Sequence, residues 1–124
     1  MVALLSISKV SSLKDLNCEP CPPGGQELLK VECLELLKGL SQGWAINESP
    51  NRLVFKYSAN NFKESLEKAN SVGKIAEEQW HHPNMVIGFK KFELEINTNV
   101  INGLRKADFI FAAKVDYLFN LSPR

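Results

Sequence analysis

Residues 62–97 read FKESLEKANSVGKIAEEQWHHPNMVIGFKKFELEIN, and the change of period inside this stretch decides the fold. Phe62, Leu66, Ala69, Val72, Ile75 and Ala76 recur at helical spacing, so a helix runs from a cap at Asn60 or Asn61 to about Trp80. Pro83 disfavours helical geometry at His82, and the chain turns there into an extended path. Met85, Ile87 and Phe89 continue as a strand. After a bend at Gly88 or at Lys90 and Lys91, Phe92, Leu94 and Ile96 alternate with Glu93, Glu95 and Asn97 in the next strand.

The same reading extends outward in both directions. Upstream, Trp44 and Ile46 alternate with Ala45 and Asn47, a turn follows over 47–51, and Leu53, Phe55 and Tyr57 alternate with Val54, Lys56 and Ser58. That pattern predicts a β-hairpin. Before it, Leu28, Leu29, Val31, Cys33, Leu34, Leu36, Leu37 and Leu40 suit an amphipathic helix ending near Gly39 to Gly43. Downstream, Leu104, Ala107, Phe111, Val115 and Leu118 mark a third helix. The order is α-β-β-α-β-β-α, without the β-α-β alternation that builds a parallel sheet. The expected fold class is α+β, a four-stranded antiparallel sheet with three helices on one face. The other face and the edge strands are left free for self-association.

Composition sets outer limits on function. The 124 residues are 44% hydrophobic, enough for one domain with its own core, and 15 basic residues stand against 14 acidic ones. A field so balanced gives no general attraction to nucleic acid or to anionic lipid, so neither is expected as a direct partner. The apolar runs are far short of the roughly 20 residues that cross a bilayer. A soluble protein of the cytoplasm is expected, with a mitochondrion or plastid as the alternative, because Met1 to Leu13 contains Lys9 and several serines but no acid. Residues 1–17 are read as an N-terminal extension and 18–124 as the domain. Cys18, Cys21 and Cys33 are an odd number, which argues against a secreted disulfide framework. Cys18 and Cys21 form a C-x-x-C, but Pro20, Pro22, Pro23, Gly24 and Gly25 make a stiff loop of it, and no second ligand pair completes a zinc site. A structural loop with two thiols is expected there, and no metal.

The chain has two histidines, and they are adjacent: His81 and His82, followed by Pro83. A pair at the mouth of a pocket can donate and accept protons in one reaction. Glu77 lies one helical turn before His81, placed to orient an imidazole and fix its tautomer. Taken by itself, the pair also fits a half-exposed helix C-cap.

Glu77 to Pro83 reads E-E-Q-W-H-H-P; Phe89, the strand F-E-L-E-I-N-T ending at Thr98, N-G-L at 102–104 and Asp108 follow. This set resembles the pterin-4a-carbinolamine dehydratase family: an acid, three residues, H-H-P, an aromatic, a strand ending in Thr and His, a G-L step and a helical Asp. The resemblance continues through Cys18 and Cys21, the leucine-rich segment, G-W at 43–44 and the stretch from F-K-Y at 55–57 to N-F at 61–62, and covers nearly everything from Leu13 onward.

It implies dehydration of a 4a-hydroxytetrahydropterin to the quinonoid dihydropterin in tetrahydropterin recycling, with the pterin as substrate and no other cofactor. His81 would act as acid, His82 would bind the pterin and assist proton removal, and Glu77 would orient the pair. Pro83, Thr98, Asn99, Asp108 and Trp80 would complete the binding site, Thr98 and its neighbours through backbone groups. Asp108 also fits a first-turn helix acid, and Trp80 a core residue. The family's third histidine, after the strand threonine, is Asn99 here. Asparagine hydrogen-bonds but transfers no proton near pH 7. Two classes therefore stay open, an enzyme and a non-catalytic interaction module, a transcriptional or assembly cofactor with a protein partner, that retains the pterin pocket. The resemblance also implies a homodimer or homotetramer.

Overall fold

A computed structural model describes residues 13–124. Most of the segment weighed as a targeting sequence, residues 1–12, lies outside the described residues. A short 3₁₀ turn, Leu13–Asp15, is followed by α1 (Lys30–Leu37), β1 (Trp44–Asn47), β2 (Arg52–Ser58), α2 (Phe62–Gln79), β3 (Asn84–Gly88), β4 (Lys91–Ile96) and α3 (Lys106–Leu118). The sheet order is β1-β2-β4-β3, and every neighbouring pair is antiparallel. This is the α+β arrangement that the strand and helix periods predict. Among the described residues no helix is long and apolar enough to cross a membrane.

The register explains why one sheet face is the core. Phe55 stands opposite Leu94, Leu53 opposite Ile96 and Ile87 opposite Phe92, so alternate side chains from neighbouring strands stack on the helix side. Trp44, Leu53, Phe55, Phe92, Leu94 and Ile96 are buried there, with Phe55 4.7 Å from Trp44 between ring centroids and edge-on to Phe119. The intervening residues make the other face polar: Lys56 stands opposite Glu93, and Arg52 Nε reaches Glu95 Oε2 at 3.1 Å.

Asn61 starts α2 by accepting the Glu64 N–H on its side-chain oxygen at 2.8 Å, while the Glu64 carboxylate accepts the Asn60 N–H. Ser65, Ala69, Val72 and Ala76 form its buried line. Phe62 and Leu66, expected on that face, are exposed, because the helix turns its small residues to the sheet. The strand expected to reach Phe89 stops at Gly88, and Phe89 is 67% exposed in the turn. Helix α1 is shorter than its leucine pattern suggests; Cys33 and Leu40 enter the core, while Leu29, Val31 and Leu34 remain exposed.

Helix α3 departs most from a single apolar stripe. Ala107 through Ala112 are all buried, because this helix packs against α2, the sheet and the 3₁₀ turn together. Near its end Leu118 is exposed and Asp116 is buried instead. The reason is a set of buried donors: Asp116 accepts the Ser41 N–H and hydroxyl, both at 2.7 Å, and the Trp44 indole N–H at 3.0 Å. Burial raises the Asp116 carboxyl above its ordinary value against the opposing pull of these bonds. Asp116→Ala leaves those donors buried without an acceptor, and chemical denaturation is expected to report a loss of about 3 kcal/mol. An unchanged midpoint would mean that water reaches them.

Candidate functional site

Helix α2 ends in a left-handed turn, and that turn aims the histidines. Trp80 sits at φ 51°, ψ 49°, and both its N–H and that of His81 donate to the Ala76 carbonyl. The chain reverses there, so His81 points back toward the start of α3 and His82 toward the outer side of α2. Pro83 then commits the chain to β3.

The result is two carboxylate–imidazole pairs in parallel. His81 Nε2 lies 2.7 Å from Asp108 Oδ1, and His82 Nε2 lies 2.6 Å from Glu77 Oε2. The helical spacing pointed Glu77 at His81; the left-handed turn gives it His82 instead, and Asp108 takes the place expected of Glu77. Each carboxylate accepts an Nε2–H, which fixes the tautomer and leaves Nδ1 without a protein partner among the described residues. The pairs differ in setting. Asp108 is 0% exposed, whereas the Glu77 and His82 side chains stand half in solvent or more.

Asp108, the third residue of α3, is held on every side. Its Oδ2 accepts the Thr98 hydroxyl at 2.9 Å and the Arg105 backbone N–H at 2.8 Å, which also caps the helix start. For Thr98 the backbone is itself engaged within the protein. Its N–H donates to the Gly103 carbonyl and its hydroxyl to Asp108, so Thr98 supports the site from within. Beyond Thr98 the chain makes a short loop closed by the Thr98–Gly103 bridge. A Cβ at Gly103 would press on the Glu27 carboxylate, the movable end of that side chain.

A cavity of about 450 Å³ opens between these parts. His81, His82, Trp80, Thr98 and Asn99 line it, as the sequence reading groups them. Glu77, Asp108 and Pro83 do not line it; the first two stand behind the imidazoles, and Pro83 sets the course of the chain. Trp80 is no core residue: it is 77% exposed on the rim, edge-on to the His82 ring with centroids 4.8 Å apart. The wall facing the histidines is the loop of Cys18, Glu19, Pro20 and Cys21, joined by Gln79, Asn97, Val100 and Ala107. The sequence gives little sign of these, apart from the proline-stiffened thiol loop. Burial pushes the Cys18 thiol up to about 11. Among the described residues no three His, Cys, Asp or Glu side chains are placed to share a metal ion.

Three comparisons with known proteins bear on this site. The family model described as pterin 4 alpha carbinolamine dehydratase matches residues 26–118. A protein of Rubrobacter xylanophilus with a provisional pterin-4-alpha-carbinolamine dehydratase name is 43% identical over 110 residues, covering 88% of this chain and 100% of its own. One of Nitrosomonas eutropha, similarly named, is 37% identical over 112 residues, covering 90% and 97%. Among solved structures, a transcriptional coactivator/pterin dehydratase from Brucella melitensis superposes with a TM-score of 0.70 at 20% identity, over 75% of this chain and 98% of that one. A pterin dehydratase-like RuBisCO assembly factor of the alpha-carboxysome gives 0.57 at 21% identity, over 65% and 94%. These two likenesses speak for the fold alone.

The left-handed Trp80 generates a prediction about stability. A residue with a Cβ is strained there by roughly 1 kcal/mol relative to glycine, and the exposed indole recovers little of that by packing. Trp80→Gly is therefore expected to raise the thermal midpoint by about 4 °C. A lower midpoint in calorimetry would show that the indole contributes more packing than its exposure implies.

Proposed function

Because the chain belongs to the pterin-4-alpha-carbinolamine dehydratase family, we propose that it removes water from a 4a-hydroxytetrahydropterin to give the quinonoid dihydropterin, serving tetrahydropterin recycling. The observation that carries this reading is the pair of imidazoles on one cavity wall, each hydrogen-bonded through Nε2 to its own carboxylate. The reaction needs one proton delivered to the departing 4a hydroxyl and one taken from N5, and nothing is oxidised or reduced overall. Two ring nitrogens free to exchange protons match that need.

In this reading His81, braced through Nε2 by the buried Asp108, gives the Nδ1 proton of its imidazolium form to the 4a hydroxyl as it leaves as water. His82, braced by Glu77, binds the pterin and assists removal of the N5 proton. Fixing each ring by its far nitrogen means that proton transfer requires no reorientation of the imidazole. Trp80 offers an aromatic surface at the rim, and Asn99 a hydrogen-bonding amide where the resemblance places a third histidine. The cavity, about 450 Å³, is of the size that holds a small bicyclic ligand. The pterin is the substrate and no further cofactor takes part.

A second reading rests on Asn99. An amide in that position keeps binding and loses one proton-transfer group, which suits a module that recognises a ligand or protein without turning it over. Of the two structural neighbours, one is described as a transcriptional coactivator as well as a pterin dehydratase, and the other as a pterin dehydratase-like assembly factor.

Asn99→His separates the readings. With a catalytic site, chemically generated 4a-hydroxytetrahydropterin should be dehydrated about tenfold faster by Asn99→His, and His81→Ala should lower kcat by about a hundredfold or more. If wild type and Asn99→His are both inactive and His81→Ala leaves pterin affinity unchanged, the catalytic assignment fails and the module remains.

Self-association belongs to the same proposal. Strand β3 is an edge with Val86 and Ile87 exposed on its opposite faces, an edge suited to pairing with a second copy as a homodimer or homotetramer. Sedimentation at micromolar concentration is expected to give a mass at least twice the monomer's. A monomer throughout that range would count against it.

A further inference from the structure

Gln79 is the last residue of α2, next to Trp80 and His81, and its side chain reaches away from the helix to the N-terminal segment. Its Oε1 accepts the Cys18 N–H at 2.7 Å, and its Nε2 donates to Asn17 Oδ1 at 3.3 Å. A third tie is the Cys18 thiol, which donates to the Ala107 carbonyl at 3.3 Å, one residue before Asp108. The segment is thus fastened to the end of α2 and to the start of α3, the two places that present His81 and Asp108.

We infer that the loop Asn17–Cys21 is the working wall of the binding cavity and that Gln79 is the positioning residue that holds it opposite the histidines. The inference rests on the pterin reading for its ligand, and on geometry alone for the latch. Pro20 and Pro22 restrict the backbone, so fastening the loop at Cys18 fixes the course of the residues that follow. Cys18, Glu19, Pro20 and Cys21 all line the cavity, and none of the four lies in a helix or strand. The latch also assigns the C-x-x-C. At Cys18 the thiol is a half-buried hydrogen-bond donor, protonated at neutral pH, and it serves as an anchor rather than a nucleophile.

Thiol kinetics test the latch without any assay of turnover. In the folded wild type Cys21 is expected to react readily with a chromogenic disulfide reagent, and Cys18 slowly. In Gln79→Leu, Cys18 should react about tenfold faster, the change that loss of one or two hydrogen bonds allows. Gln79→Glu keeps the acceptor for the Cys18 N–H and should recover most of the wild-type protection. A Cys18 that stays equally slow in a folded Gln79→Leu overturns the latch.

Pterin affinity tests the wall. Titration with oxidised biopterin should be weaker in Gln79→Leu by about tenfold, and in turnover KM should rise by that factor while kcat falls less than about threefold. Gln79→Glu should restore most of this loss. Faster Cys18 reaction with unchanged biopterin affinity would detach the loop from the site and overturn the inference. A wild type that binds biopterin without turnover sinks only the catalytic reading, and the affinity loss in Gln79→Leu then still supports the wall. A wild type that binds no biopterin overturns both.

Discussion

The buried carboxylate of Asp108 is the constraint on which the rest of the site depends. A charge with no solvent contact is tolerated only where its oxygens are filled by donors. Here the donors come from three elements: the Thr98 hydroxyl beyond β4, the Arg105 N–H at the start of α3, and the His81 ring beyond α2. Satisfying one side chain therefore fixes the relative positions of the sheet end and two helix ends. The imidazole is placed by the same interaction that closes the fold.

Most of the architecture was legible in the sequence because it rests on local period. The alternation in Leu53–Tyr57 and Phe92–Ile96 predicts strands with one buried face, and the chain folds that way. Asn61 before Phe62, and Pro83 after the histidines, mark where α2 begins and ends. The family resemblance grouped His81, His82, Trp80, Thr98 and Asn99, and these five line one cavity.

What escaped reading depends on direction or on distance. Spacing joined Glu77 to His81, but one left-handed residue, Trp80, redirected the ring toward Asp108, and nothing in a helical period foretells that turn. A single apolar stripe cannot show that α3 is enclosed nearly all round its first turns, nor that Asp116 is buried to serve Ser41 and Trp44. The loop from Cys18 to Cys21 meets the histidines through contacts some sixty residues apart, for which the only local trace is its prolines. Side-chain pairing across such separations is a property of the assembled fold, not of any one segment.

The short loop after Thr98 divides the site into two kinds of position. Asp108, Thr98 and His81 share the bonds that hold the structure together, so a substitution among them costs stability as well as chemistry. Asn99 and Val100 stand outside that network, exposed on a loop already closed by the Thr98–Gly103 bridge. Changes there meet no such penalty. One half of the cavity is in this sense tied to the fold, and the other is free to vary, which leaves room to change what the cavity recognises while the domain survives intact.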